Sequence, residues 1–197
     1  MTARKRVAIL ISGRGSNMTA LIEAAGTPGF PAEIVGVLSN RADAKGLEFA
    51  AGKGISTAVR SHRDYAGREA FDAALDEVLV GWNAEIVCLA GFMRLLTPGF
   101  VSKWAGRMIN IHPALLPEFK GLHTHERALA AGVKEHGCTV HFVTPGMDEG
   151  PIILQARVPV LAGDTPDTLA ERVLEAEHRI YPEALRMLAT GDAELRD

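Results

Sequence analysis

The residues of this chain best suited to chemistry are Asn110 and His112, in the run Met108-Ile109-Asn110-Ile111-His112-Pro113. An amide can donate to a developing oxyanion, and an imidazole can hold or move a proton near neutral pH. Successive side chains on a strand point to opposite faces, so Asn110 and His112 share one face while Ile109 and Ile111 share the other. Pro113 cannot donate to a sheet ladder, which ends the strand at His112. The pair therefore stands at the carboxyl end of a strand, where open α/β sheets hold their ligands. Taken alone, two polar residues in an apolar strand read as satisfied core groups. Other parts of the chain must give them something to act on.

Two loops offer that. Ser12-Gly13-Arg14-Gly15-Ser16-Asn17 follows an apolar run and leads into a helix. Glycines let such a backbone turn so that its amides, at the positive end of the helix, surround a phosphate. Met18 occupies the third glycine position of the dinucleotide fingerprint, and no Gly-Lys-Ser/Thr follows, so the loop suits a single phosphomonoester rather than NAD or ATP. The second loop, residues 144–151, carries Asp148 between Pro145-Gly146 and Gly150-Pro151. Aspartate there is by default a turn former. If the loop lies over the central strand, the carboxylate favours the charged form of His112.

Gly91-Phe92-Met93-Arg94-Leu95-Leu96 follows a strand and offers apolar side chains and open backbone to a flat aromatic ligand. Arg68 and Arg94 are the cations best placed to meet an acidic ligand. Five histidines fall between residues 112 and 141, namely His112, His123, His125, His136 and His141. His123-Thr124-His125 lacks the i, i+4 spacing of a helical zinc pair and no cysteine cluster accompanies it, so capping and supporting roles are expected and no metal.

The elements that must position these residues follow from periodicity. Strands are expected at 7–11, 33–38, 55–59, 85–90, 107–112, 138–143 and 152–160. Helices are expected at 18–26, with Ser16 or Asn17 as cap, and at 42–52, 64–80, 98–104 and 123–132. A long final helix opens at Thr165-Pro166-Asp167 and is kinked or split by Pro182. Alternation of strand and helix in the first half implies a parallel sheet covered on both faces. No long helix fits between the last two strands, which are therefore expected to be antiparallel. The fold class is α/β: a Rossmann-like, mostly parallel twisted sheet with helices on both faces, an antiparallel extension in the C-terminal half and a long C-terminal helix.

Bulk properties narrow the function. The 197 residues suffice for one domain with a sizeable core. Hydrophobic residues make up 47% and charged residues 23%, an ordinary globular composition. A net charge of -3 gives no basic excess for nucleic acid. Cys88 and Cys138 each lie in an apolar run and are expected to be reduced core residues. The basic start Met1-Thr2-Ala3-Arg4-Lys5-Arg6 precedes an apolar run of five residues, too short for an export signal or membrane span, so the cytoplasm is expected.

Together these stretches resemble the phosphoribosylglycinamide formyltransferase family of folate-dependent enzymes. The resemblance covers essentially the whole chain. It includes Ser12 to Asn17, Ala90 to Arg94, Asn110-Ile111-His112-Pro113, Leu115-Leu116-Pro117 and Gly121-Leu122-His123-Thr124-His125. It continues through His141-Phe142-Val143, Asp148-Glu149-Gly150-Pro151-Ile152-Ile153, Glu177-His178 and Ile180-Tyr181-Pro182. The resemblance implies transfer of the formyl group of 10-formyltetrahydrofolate to the amine of glycinamide ribonucleotide, in purine synthesis. It implies Asn110, His112 and Asp148 as the catalytic set, and Gly15, Ser16, Asn17 and Glu177 as the phosphoribosyl site. Arg68, Met93, Arg94, Leu95, Leu96, Asn110 and Val143 are implied for folate. A single domain is expected over 1–197, with a phosphate-binding half to about 105 and a catalytic, folate-binding half after it, as monomer or homodimer. Locally, Pro145-Gly146 replaces an acidic pair frequent in the family, and Leu174 stands where some members carry glutamine.

Two other functions compete. A formyltetrahydrofolate deformylase, or a formyltransferase for another amine, usually carries a further domain for which this chain leaves no room. The deformylase also has no need of a phosphate loop, since water accepts its formyl group. A non-enzymatic nucleotide-binding regulator on the same sheet is the rival from another class.

Overall fold

The first apolar run forms a central strand because β-branched and aliphatic side chains fill both faces of a covered sheet. In the computed structural model, which describes residues 3–196, it is β1 (Lys5–Ile11) and is fully buried from Val7 onward. Met1 and Thr2 of the basic N-terminal stretch lie outside the described residues. Around β1 stand β2 (Ala32–Ser39), β3 (Ser56–Val59), β4 (Ile86–Leu89) and β5 (Met108–His112). β6 (Glu135–Phe142) and β7 (Ile152–Pro159) complete a seven-stranded sheet of order β3-β2-β1-β4-β5-β6-β7. The first five strands are parallel; β6 runs antiparallel to β5, and β7 antiparallel to β6.

Helices cover both faces, as the alternation implied. One face packs α1 (Ser16–Ala25), α2 (Gly46–Gly52), α5 (Thr124–Ala130) and α6 (Pro166–Thr190) over Ile9, Ile11, Ile109 and Ile111. The other packs α3 (Arg68–Gly81) and α4 (Pro98–Lys103) over Leu10, Leu38, Val87 and Met108. Cys88 and Cys138 are free and buried, and burial pushes both thiols up to about 12.

Several boundaries differ from expectation, each for a local reason. The helix expected from residue 64 starts at Arg68, because Ser61 caps a separate 3-10 turn, His62–Asp64, by accepting from the Arg63 amide. The helix expected from 42 begins at Gly46, after a turn in which Arg41 pairs with Asp43. β6 begins at Glu135 rather than Cys138, since β7 supplies ladder partners back to Glu135. Neither Ser16 nor Asn17 caps α1. Gly15 does, with φ 72, a left-handed conformation that glycine adopts without strain. α6 is not split: Pro182 lies inside one continuous helix whose start carries the expected Thr165 cap, reciprocated by Thr168. Among the described residues no helix is long and apolar enough to cross a membrane.

One α6 side chain joins the sheet strands that matter most. The buried Tyr181 hydroxyl donates towards the carbonyls of Leu89 on β4 and Ile109 on β5, at 2.7 and 3.2 Å. Tyr181→Phe is expected to lower unfolding free energy by about 1–2 kcal/mol, because it leaves buried acceptors short of a donor without opening a large cavity. Chemical denaturation, read as a shifted midpoint at constant slope, checks this.

Candidate active site

The alternation along β5 is realised. Met108 packs in the α3/α4 layer, whereas Ile109 and Ile111 pack in the α1/α6 layer. Asn110 and His112 therefore face the α3/α4 side, beyond the end of the α4 cover. The same layer is bordered there by Phe92, Leu96 and Val143. His112 is buried and Asn110 half-buried.

β6 lies directly against this pair. Its antiparallel register sets Asn110 opposite His141 and His112 opposite Thr139, and directly opposed residues put their side chains on one face. The Asn110 amide nitrogen lies 3.3 Å from His141 Nε2, and His141 Nδ1 lies 2.9 Å from the Phe142 carbonyl. A carbonyl can only accept, so Nδ1 carries the proton and Nε2 accepts from Asn110. His141 is thus neutral, and its burial, the largest influence on it, lowers its pKa. One amide proton of Asn110 is fixed by this bond, leaving the second available to the cleft.

Asp148 reaches the same place from the 144–151 loop. Its Oδ2 lies 3.5 Å from His112 Nδ1 and accepts from the Gly121 amide at 2.9 Å, while Oδ1 lies 3.8 Å from His141 Nε2. Asp148 has φ 52, a left-handed conformation that aspartate tolerates better than most residues. The loop can approach this closely because of Gly150: a Cβ there would meet the Phe142 carbonyl oxygen at 1.6 Å. His112 Nε2 lies 2.9 Å from the carbonyl oxygen of Phe119. Both ring nitrogens therefore face oxygen acceptors, an environment satisfied in full only by the imidazolium.

The glycine loop stands across the sheet. With Gly15 as cap and no side-chain acceptor, the amides opening α1 are unclaimed, and the first turn holds no acidic residue. Asn17 donates its amide to Glu177 Oε2 at 3.0 Å, which joins the loop to α6. The Asn17 Oδ1 is buried without a partner. Glu177 is buried, and desolvation raises its carboxyl to about 7, against a smaller lowering by the Asn17 bond.

The residues expected to meet folate form one strip. Arg68, at the start of α3, donates to the carbonyls of Leu95 and Leu96, both at 3.2 Å. Met93 and Leu95 are each 61% exposed, unusual for large apolar side chains. The Met93 amide donates to Ser12 Oγ, tying this strip to the end of β1. Val143 completes the wall through its amide bond to the Met108 carbonyl. Of the five expected histidines, His125 and His136 contact each other at 3.2 Å, His136 packing edge-on against Phe119, and His123 sits exposed at the start of α5. Among the described residues no three His, Cys, Asp or Glu side chains form a group that could hold a metal ion.

Sequence reasoning gave His141 no place beside Asn110. The available signal was the spacing Thr139-x-His141 mirroring Asn110-x-His112, two polar pairs that meet when the strands run antiparallel.

The raised Glu177 carboxyl has a consequence for stability. A group whose folded pKa lies above its unfolded value stabilises most below the unfolded value, near 4.5, and loses that contribution as pH rises through about 7. Wild-type protein is expected to lose roughly 2 kcal/mol more than Glu177→Gln between pH 5.5 and 8.5, as read by urea denaturation.

The chain is similar over residues 5–185 to the formyl transferase family. It is 55% identical to the trifunctional purine biosynthetic protein adenosine-3 of Bos taurus, over 98% of this chain and 19% of that protein. The chain thus spans about a fifth of the length of that relative. It is 47% identical to the phosphoribosylglycinamide formyltransferase of Escherichia coli K12, over 97% of this chain and 90% of that one. Its fold superposes on the crystal structure of phosphoribosylglycinamide formyltransferase from Brucella melitensis with a TM-score of 0.92, at 56% identity, covering 98% of this chain and 100% of that one.

Proposed function

This chain belongs to the formyl transferase family, and from that premise we propose that it carries the formyl group of 10-formyltetrahydrofolate to the primary amine of glycinamide ribonucleotide. The products are N-formylglycinamide ribonucleotide and tetrahydrofolate. The observation that carries the reading is the convergence of Asn110, His112 and Asp148 at the carboxyl end of β5. It gains support from unclaimed helix amides at one end of the cleft and an exposed apolar strip at the other.

In this reading the amine attacks the formyl carbon directly. A nitrogen–carbon bond forms to the ribonucleotide, the carbonyl oxygen becomes a tetrahedral oxyanion, and the bond to the folate nitrogen then breaks. Asn110, its amide oriented by His141, donates its second proton to that oxygen, a contribution of about 3 kcal/mol by analogy with other oxyanion donors. Asp148 Oδ2 faces His112 Nδ1 and stabilises the imidazolium when it forms. The Nε2 proton, which Phe119 accepts in the free protein, passes to the departing folate nitrogen once substrate displaces that carbonyl. The proton lost by the attacking amine restores the imidazolium. The substrate supplies the nucleophile, so no covalent enzyme intermediate forms.

Gly15, Ser16 and Asn17 take the phosphate, with Glu177 towards the ribose. Arg68, Met93, Arg94, Leu95, Leu96, Asn110 and Val143 hold folate, and positioning supplies the other large part of the rate. Residues 1–197 act as one formyltransferase domain, phosphate-binding to about 105 and catalytic beyond it. The protein works in the cytoplasm as a monomer or homodimer, without metal, nucleic acid or membrane.

Asn110→Ala is expected to lower kcat by 10²–10³-fold, in steady-state assays of tetrahydrofolate release, with little change in ribonucleotide KM. Asp148→Asn is expected to lower kcat by about 10²-fold in the same assay, since the neutral amide no longer stabilises the imidazolium as it forms. Near wild-type turnover for either variant would remove these roles. Formate release without ribonucleotide would identify a deformylase instead, and ribonucleotide binding without any transfer a regulator.

A further inference from the structure

The segment that leaves β5, residues 113–123, supplies two backbone groups to the proposed catalytic set. The Phe119 carbonyl faces His112 Nε2 at 2.9 Å, and the Gly121 amide donates to Asp148 Oδ2 at 2.9 Å. That carboxylate oxygen is the one 3.5 Å from His112 Nδ1. Both nitrogens of the imidazole therefore depend on where residues 119–121 lie. This stretch of backbone is unfavourable by itself. Phe119, Gly121 and His123 have φ of 51, 80 and 57, so three alternate residues are left-handed. Glycine adopts that region freely, but a bulky residue such as Phe119 stays in it only where its surroundings hold it.

One side chain grips the whole stretch. Arg127 of α5 donates from Nη1 to the carbonyls of Lys120 and Leu122, at 2.6 and 3.2 Å. Its guanidinium also lies over the Phe119 ring, 5.6 Å from the ring centre. Arginine suits the task because its planar group can donate to two carbonyls while lying against an aromatic face. The bond to Lys120 has a directional consequence. The Lys120 carbonyl and the Gly121 N–H belong to one trans peptide unit, in which the two groups point opposite ways. Held by its carbonyl on the α5 side, that peptide turns its N–H away from Arg127 and onto Asp148.

We infer that Arg127 is a positioning residue for formyl transfer, setting the Lys120–Gly121 peptide so that Asp148 is kept against His112. Its action runs through Asp148 and not through contact with either substrate. The same grip keeps the Phe119 carbonyl at His112 Nε2 until substrate displaces it. The inference rests on the formyl-transfer reading above and adds a residue to it.

The test is a double-mutant cycle on kcat between Arg127→Ala and Asp148→Asn. With Asp148 present, Arg127→Ala is expected to lower kcat about tenfold, the scale of one hydrogen bond to a carboxylate. KM for ribonucleotide and for the folate donor should stay within about twofold of wild type, since no substrate contact is lost. In the Asp148→Asn background the same substitution should cost less than about twofold, because no carboxylate remains to be positioned. Arg127 is exposed, so its loss should leave the urea midpoint unmoved. An unchanged kcat, an equal loss in both backgrounds, or a raised KM at unchanged kcat would overturn the inference while leaving formyl transfer intact. A loss of kcat that comes only with a lowered urea midpoint would overturn it too, by making Arg127 a support of the fold at large. Absence of transfer by the wild-type chain would instead defeat the function proposed above.

Discussion

The antiparallel pairing of β6 with β5 is the constraint on which the site depends. Five parallel strands already make a continuous sheet. Adding β6 in the opposite direction places His141 across from Asn110 and Thr139 across from His112. A one-residue slip would turn every β6 side chain to the other face, leaving the Asn110 amide without its acceptor. Thr139 also accepts from the Leu116 amide and donates to the Ala114 carbonyl, holding the chain that leaves β5. The same register therefore orients the amide and fixes the backbone beside the imidazole.

Electrostatics divide the two buried histidines into different roles. His141 has a carbonyl on one nitrogen and an amide donor on the other, which suits a neutral ring, and burial reinforces that state. His112 has a carbonyl on one nitrogen and a carboxylate on the other, which suits a charged ring. Two imidazoles a strand apart thus face different partners. Asp148 reaches both, through a left-handed residue on a loop that Gly150 allows to lie against Phe142. The loop's path is set by close backbone approach rather than by a regular element.

The cleft is also tied together by contacts far apart in sequence. Asn17 meets Glu177 and Ser12 meets Met93. Tyr181 reaches both β4 and β5 from the long final helix. The glycine loop, the exposed strip at Met93–Leu96 and the strand carrying Asn110 and His112 are each anchored by a hydrogen bond to another part of the fold. Positioning by such anchors is a large part of what an enzyme with a nucleophile-bearing substrate must provide.

Much of this was legible in the residues themselves. Period-two alternation put Asn110 and His112 on one face, and Pro113 marked the end of their strand. Strand–helix alternation gave the parallel half, and the short link between the last two strands gave the antiparallel one. Local signals were weaker at boundaries: helix starts moved by two to four residues at Arg68, Ser16 and Gly46, because caps and turns compete with periodicity there. Pro182 did not split α6, since packing of Val173, Ala176, Ile180 and Ala184 against the sheet outweighs one missing hydrogen bond. By itself, then, the sequence determined which residues share a face and which loops can turn, because those properties depend on neighbours within a few positions. Tertiary structure alone decided that His141 would hold Asn110 and that Asp148 would reach His112. Each needs the register between strands or the approach of a distant loop, and no local pattern encodes either.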